Sequence, residues 1–482
     1  MSEPRTNRTS TLTPPSGTHV PADGTAAGAA AGTAAGAAAE PATRTATGPA
    51  APPPPSTARE GLLARLGIPH ALRWGFLGVL VFMTGDGIES NFIAPHIAGV
   101  LGSGGTDSAA MIIGIYGVAV LVASYFAGVL SDLWGPRRVM TIGAVLWVVF
   151  QVAFLAALPT ASVGLIALTY FLRGLGFPLF AFSFLCWINH TVARERNATA
   201  VGWFYVVFTG GLPTLGSLIA IGSIPAFGGG SLGETWSMAL SLVFVVVGWA
   251  IVRFGVHEST GLGRIAPRSH SAARVIASGI EVCIKRPKVL LAVLIRLVNT
   301  APEFGMFVIM PAIIGTELGW GQSKWLTMTV IVYAGNILFN AFFGALGDRI
   351  GWIRTVKWFG IGASAIGLLA WWYVPHLVPA GSEWGFWLAT AAGTVFGIML
   401  AGFTPMGAIV PAFAGEERRG AAMAMYATAA GGATFLGNAV VSAVLPWGGP
   451  GGVVWTFVAL YALAFVVLSL LKVPEGAEAA GH

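Results

Sequence analysis

Four charged residues set deep inside apolar stretches carry the chemistry open to this sequence. Asp86 and Glu89 sit three apart in Gly85-Asp86-Gly87-Ile88-Glu89-Ser90-Asn91, inside the apolar run 74–97. Arg173 and Glu303 lie near the middle of two further runs, 162–188 and 289–316. A charge at a helix centre in lipid costs roughly 2.5–3.5 kcal/mol on insertion scales, so each needs a partner or a water-filled cavity. Spacing of three places Asp86 and Glu89 on one helical face. A carboxylate so placed can carry a proton or accept hydrogen bonds from a solute's hydroxyls. Arginine stays charged and must find a carboxylate or line water. Three charged groups at similar depth on three helices invite pairing.

Glu303 lies in Asn299-Thr300-Ala301-Pro302-Glu303-Phe304-Gly305, where Pro302 removes a ladder hydrogen bond and Gly305 loosens the helix further. Broken membrane helices expose backbone polar groups where they line a cavity, so Glu303 is a candidate hydroxyl acceptor or second proton carrier. Arg296, seven residues earlier, lies about 10 Å nearer one membrane face at 1.5 Å rise per residue, too far for a simple pair with Glu303. Snorkelling to the interface is one expectation for it. Asn91, Tyr116, Asn299, Asn336 and Asn340 are the polar side chains chosen as candidate solute contacts. Asn336 and Asn340 share one face, as a cavity-lining stripe or as an interhelical hydrogen-bond pair.

The elements that must hold these residues follow from composition. Of 482 residues, 55% are hydrophobic and 10% charged, and the mean hydropathy is +0.76. Soluble domains carry about 25% charged residues, so this is a polytopic membrane protein whose surroundings are the lipid bilayer. The formal charge of +6 reads as topological, with no nucleic-acid partner expected. Cys186 and Cys283 give no plausible disulfide or metal cluster. No nucleophile elbow, phosphate loop or ligand cluster is visible, so neither an enzyme nor a cofactor is expected.

Residues 1–70 are rich in Ala, Gly, Thr and Pro and read as a disordered tail. Beyond them, twelve runs of about twenty residues each match the bilayer core, with the fourth and tenth overlong. They divide as 71–254 and 288–473 around a polar central loop, 255–287, and a short tail, 474–482, follows. Arg137, Arg138, Arg194, Arg196, Arg253, Arg264, Arg268, Arg274, Lys285, Arg286, Lys288, Arg349, Arg354, Arg418 and Arg419 fall in alternate connections. The other connections hold Lys324 beside Asp107, Glu234, Glu317 and Glu383. Positive charge concentrates on the cytoplasmic side, so both termini are expected there, in the cell membrane.

An internal repeat supports the division. Gly128, Asp132, Gly135 and Arg138 recur as Gly344, Asp348, Gly351 and Arg354 at a displacement of 216, and Pro95 recurs as Pro311. A weaker echo pairs residues 193–196 with 415–418. Two halves about a membrane-normal axis suit a rocking transporter with its solute near the midplane.

The Gly-x-x-x-Asp-x-x-Gly-x-Arg-Arg stretch, with twelve duplicated helices, resembles the major facilitator superfamily over about 74–472. Leu133 and Pro136 replace residues that are usually basic, and the second copy keeps Arg349 and Arg354. Gly85-Asp86-Gly87-Ile88-Glu89 with Arg173-Gly174-Leu175-Gly176-Phe177-Pro178-Leu179 is similar to the polyol permeases of ribitol and arabitol type. The resemblance implies an all-α fold of two six-helix bundles related by pseudo-two-fold symmetry. It implies a latch role for Asp132, Arg138 and their second copies, against a plain positive-inside loop. It also implies that the helices bearing Asp86 and Arg173 line one half of the cavity. Asp86 is then the expected partner of Arg173 and first choice for proton carrier, with Glu89 as hydroxyl acceptor. The function expected is proton-driven symport of a sugar alcohol or similar solute by a monomer. Alternatives are symport of a small organic anion gripped by Arg173 or Arg296, a drug/proton antiporter, or a non-transporting sensor.

Overall fold

The computed structural model describes residues 68–192, 194–266, 271–415 and 418–472. The tail expectations for 1–67 and 473–482, and Ala193, Arg268, Glu416 and Glu417, lie outside the described residues. Every regular element among those described is helical. Eight helices are long and apolar enough to cross a bilayer alone, and the bent Gln322–Asn340 and Phe342–Ile350 pair makes a ninth. Three more emerge where single helices are interrupted. The first span is split into Arg73–Gly87 and Ile93–Leu101. Residues 352–377 change helical pitch over Val356–Ala363. The segment Arg419–Leu470 holds two spans that meet at Gly449, whose φ of 61° is not helical.

Spans 2 to 6 are Gly105–Trp134, Pro136–Thr160, Val163–Thr191, Ala200–Ala226 and Gly230–Gly255. Span 7 is Pro287–Glu317, span 8 Gln322–Ile350, span 9 residues 352–377 and span 10 Glu383–Ala414. Spans 11 and 12 share Arg419–Leu470. An amphipathic helix, Ala272–Lys285, lies in the central loop.

The repeat is visible in the backbone. Gly135 (φ 90°, ψ 137°) and Gly351 (φ 100°, ψ 138°) end spans 2 and 8 in the same conformation, each N–H donating to the carbonyl four residues back at 2.9 Å. Side chains rarely tolerate positive φ, so glycine is required at both turns. Each turn is followed at once by the next helix, which fixes the tight reversal that both halves share.

Hydrogen bonds join the halves on the side opposite the basic loops. Trp325 Nε1 donates to the Asn91 carbonyl (2.7 Å), Thr329 to Ser217 (3.2 Å) and Gln322 to Glu234 (2.5 Å). Toward the basic loops the structure opens into two clefts with empty volumes of about 1040 and 1290 Å³. One is lined by Asn340, Asp348 and Tyr426, the other by Gly128, Asp132 and His190.

Candidate functional site

Glycine positions the first carboxylates. A Cβ on Gly87 would lie 1.9 Å from the Leu212 carbonyl oxygen, and one on Gly85 would lie 2.9 Å from that of Ser241. Only hydrogen allows spans 5 and 6 to approach so closely. The first helix stops at Gly87, and Ile88 to Phe92 form a turn held by Ser90 N–H to Gly87 O (3.2 Å) and Phe92 N–H to Glu89 O (3.0 Å). Asp86 and Glu89 therefore do not share a continuous helical face as the spacing suggested; the turn brings them together.

Arg173 ends the helix Val163–Arg173, and the chain resumes as helix at Gly176. Here too glycine makes room. A Cβ on Gly174 would lie 2.9 Å from Tyr116, and one on Gly176 2.5 Å from Trp147. These rings and Tyr170 surround the guanidinium, with Cζ 4.6 Å from the Trp147 ring centre, 5.3 Å from Tyr170 and 5.8 Å from Tyr116. Such contacts are worth about 2 kcal/mol when desolvated.

The arginine is shared by two acids. Its NH2 donates to Asp86 Oδ1 at 3.0 Å and lies 3.0 Å from Glu89 Oε1, the second contact outside hydrogen-bond geometry. Trp147 Nε1 also donates to Asp86 Oδ1 (2.6 Å), and Gln151 Nε2 to Glu89 Oε2 (2.8 Å). Asp86, Glu89 and Arg173 are 3%, 1% and 1% exposed, so the triad is dry apart from the chamber it faces. Trp147 gives no polar signal in the sequence, because indole in an apolar run looks like packing. Gln151 and Tyr170 stand out only as polar groups at suitable depth.

That chamber has an empty volume of about 560 Å³ and lies between the halves, with Tyr116 and the triad facing Phe304, Thr434 and Asn438. A second, of about 600 Å³, shares Phe177, Leu212, Phe304 and Thr434 with it and is lined by Arg296, Thr300, Glu303 and Asn336. Arg296 does not snorkel. It is 3% exposed, donates to Thr300, and lies over Phe403 at 3.9 Å and near Tyr426 at 5.6 Å. Pro302 leaves the helix Pro287–Ala312 unbroken, and Gly305 instead admits the Phe457 ring, 2.4 Å from where a Cβ would stand. The pitch changes further on, over Ile313–Glu317.

The asparagines are placed unequally. Asn91 lines neither chamber; its amide donates to Ser217 (2.7 Å) and ties the turn to span 5. Asn299 donates to the Gly360 carbonyl and its own carbonyl accepts from Tyr461 (2.8 Å), joining spans 7, 9 and 12. Asn336 lines the second chamber while donating to Gly397 O (2.8 Å). Asn340 donates to Asn336 O (3.0 Å), accepts from Thr404 (3.0 Å) and lines the basic-side cleft. The stripe is thus an interhelical clamp between spans 8 and 10 as well as a wall.

The loop motif is arranged differently from the expected contact with arginine. Asp132 Oδ1 lies 3.3 Å from His190 Nε2 of span 4, and Asp348 Oδ1 accepts from Trp352 Nε1 (2.9 Å). Gly128 packs 3.6 Å from the Ala424 Cβ and Gly344 3.6 Å from Thr404, measured from where a Cβ would stand. No ion pair of Arg138 or Arg354 occurs among the described residues. One cluster was not foreseen: buried His96 lies 2.5 Å from Glu234, whose other oxygen accepts from Gln322, sealing the face opposite the basic loops.

Comparison with known proteins gives this geometry its family. Residues 75–375 and 292–481 match the model of the Major Facilitator Superfamily. The chain is 32% identical to the alpha-ketoglutarate permease of Bacillus subtilis (strain 168), over 87% of this chain and 93% of that protein. It is 33% identical to the D-arabinitol transporter of Klebsiella pneumoniae (85% and 94% covered) and 33% identical to the ribitol transporter of the same organism (85% and 93%). In fold it is similar to a bacterial homologue of the iron transporter ferroportin, with a TM-score of 0.56 at 16% identity over 82% of this chain and 98% of that one. This chain, a multi-pass membrane transporter of small molecules built as two six-helix bundles, belongs to the major facilitator superfamily.

Proposed function

We propose that the chain moves a small neutral polyhydroxylated solute, a sugar alcohol or close relative, together with one proton by alternating access. The observation that carries this is the charge balance of the two adjoining chambers. Asp86, Glu89 and Glu303 set three carboxylates against the guanidinium groups of Arg173 and Arg296. Fully ionised, the lining carries one negative charge, which in a desolvated membrane site calls for one cation. Two carboxylates sharing one arginine form a pair that takes up that proton jointly. The proton belongs to Asp86 and Glu89 together, and Glu89 Oε1 offers free lone pairs to a solute hydroxyl. Tyr116, Tyr170 and Phe304 supply the flat surfaces that a polyol's carbon chain needs.

The relatives that carry ribitol and D-arabinitol support the neutral class. The alpha-ketoglutarate permease suggests an anion, but a carboxylate would add negative charge to a site already one short of neutral and would need further protons. On this reading the transport requires no cofactor, one copy suffices, and both termini lie in the cytoplasm. Labelled ribitol, arabinitol and alpha-ketoglutarate offered to proteoliposomes, with and without a pH gradient, test it. Polyol accumulation only under the gradient is expected; movement of the dicarboxylate alone would overturn it.

A further inference from the structure

The loop helix Ala272–Lys285 has three faces, and two have evident neighbours. It starts on a cap, with Ser271 Oγ accepting from Arg274 N–H at 3.3 Å. Val275, Gly279, Val282 and Cys283 form its buried face. A Cβ on Gly279 would stand 3.0 Å from Met425 of span 11 and 3.3 Å from Tyr125 of span 2, and the Tyr125 hydroxyl donates to the Ile276 carbonyl. The helix thus lies across one span from each half. Arg274, Glu281 and Lys285 form a polar face open to water.

The third face is apolar and uncovered. Ile276, Ile280 and Ile284, four apart, are 37%, 52% and 72% exposed. At 3.6 residues per turn this stripe stands roughly a third of a turn from both the buried and the polar faces. Exposed apolar side chains of the neighbouring spans lie around it. Val122 and Phe126 flank Tyr125 on span 2 and Leu290 and Leu294 begin span 7, all exposed. Tyr125 lies nine residues, about 13 Å at 1.5 Å per residue, inside the end of its span, which puts the helix near the boundary of headgroups and acyl chains. Residues 271–288 carry Arg274, Lys285, Arg286 and Lys288 with a single acid, Glu281, paired with Lys285 at 2.5 Å.

We infer that this helix is an interfacial element that seats its isoleucine stripe in the bilayer and binds anionic phospholipid headgroups through its basic residues, clasping spans 2 and 11 from outside. Net positive charge beside a lipid surface attracts anionic headgroups. Spans 2 and 11 line the larger cleft, so any change in that cleft moves the helix, and the lipid bound to it acts on the opening. The inference does not depend on which solute is carried.

A fluorophore on Ile280→Cys, in a Cys186→Ser/Cys283→Ser background, reports the surroundings of the stripe in vesicles. Brominated phosphatidylglycerol should quench it several-fold more than brominated phosphatidylcholine at equal mole fraction, and Arg274→Gln/Arg286→Gln/Lys288→Gln should abolish that preference. Quenching by aqueous iodide with neither lipid effective would overturn the membrane contact, and equal quenching by both lipids would overturn the headgroup selectivity. The unlabelled wild-type chain gives an independent reading. Its Tm in nanodiscs should rise with phosphatidylglycerol, and a rise just as large in the triple basic variant would count against the idea. Neither measurement uses transport, so a failed uptake assay leaves it standing.

Discussion

Arg173 and Arg296 are both buried guanidinium groups, one in each half, and they are held in opposite ways. Arg173 sits between two carboxylates within a ring of three aromatics. Arg296 has no carboxylate within ion-pair distance among the described residues and rests on Phe403, Tyr426 and Thr300. The duplicated scaffold kept the same glycine turn at the ends of spans 2 and 8, yet the sites diverged. An excess of negative charge gathers in one half and a cation held on π faces in the other. The difference is one of surroundings: one arginine is neutralised by the carboxylates beside it, and the other supplies a positive wall to the neighbouring chamber.

The largest expected effect breaks the first arrangement outright. Arg173→Met leaves two buried carboxylates without a cation, and removing one partner of such a pair costs about 3–5 kcal/mol. Folded yield in detergent should collapse by size-exclusion fluorescence, and Asp86→Asn/Glu89→Gln added to Arg173→Met should recover a monodisperse but inactive protein. Wild-type yield from the single variant would show that the carboxylates do not depend on Arg173.

Next come the acids singly. Asp86→Asn and Glu89→Gln each remove the negative charge that balances the proton, so uphill accumulation should fall at least tenfold, about 1.4 kcal/mol, while counterflow exchange continues. Unimpaired accumulation in both would sink the shared-proton reading.

The second arginine predicts a change in stability instead of transport. Phe403→Leu removes the ring 3.9 Å from Arg296 and should lower stability by about 2 kcal/mol, read as a lower Tm, whereas Tyr426→Phe keeps its ring and should change little. An unchanged Tm for Phe403→Leu would mean that the ring gives Arg296 no more than aliphatic packing does.

The smallest effect lies outside the chambers, where the central loop is tied to the first half. Burial works against Glu258, yet hydrogen bonds from Thr260, Trp187 and Gly261 hold its carboxyl below the usual glutamate range. Its folded value is depressed, so its stabilisation is full above the ordinary value and lost as pH falls through the lower one. The Tm advantage of wild type over Glu258→Gln should therefore shrink on acidification and be absent once Glu258 is protonated. A gap independent of pH would assign the tether to packing.

Much of the site could be read from residue types in context. Asp86, Glu89, Arg173 and Glu303 announce themselves because charge in an apolar run is costly whatever the fold. Partners were harder to read. Asn91 and Asn299 look like solute contacts yet bridge helices, since an amide satisfies a neighbouring carbonyl as readily as a ligand. Trp147 was invisible, because only the approach of span 3 to Asp86 turns an apolar ring into a hydrogen-bond donor. Pro302 was misleading for a related reason: a proline signals a lost hydrogen bond, while neighbouring spans decide whether the helix breaks there.

Sequence alone determined the membrane class, the duplicated plan and the depth of the charges, because these follow from hydropathy, period and the cost of desolvating a charge, all of which act locally along the chain. Tertiary structure alone decided that the first span breaks after Gly87, that one arginine serves two acids, and that the other lies on Phe403. Those outcomes depend on which backbones come within 3 Å of a missing Cβ, and that distance is set by helices far apart in sequence.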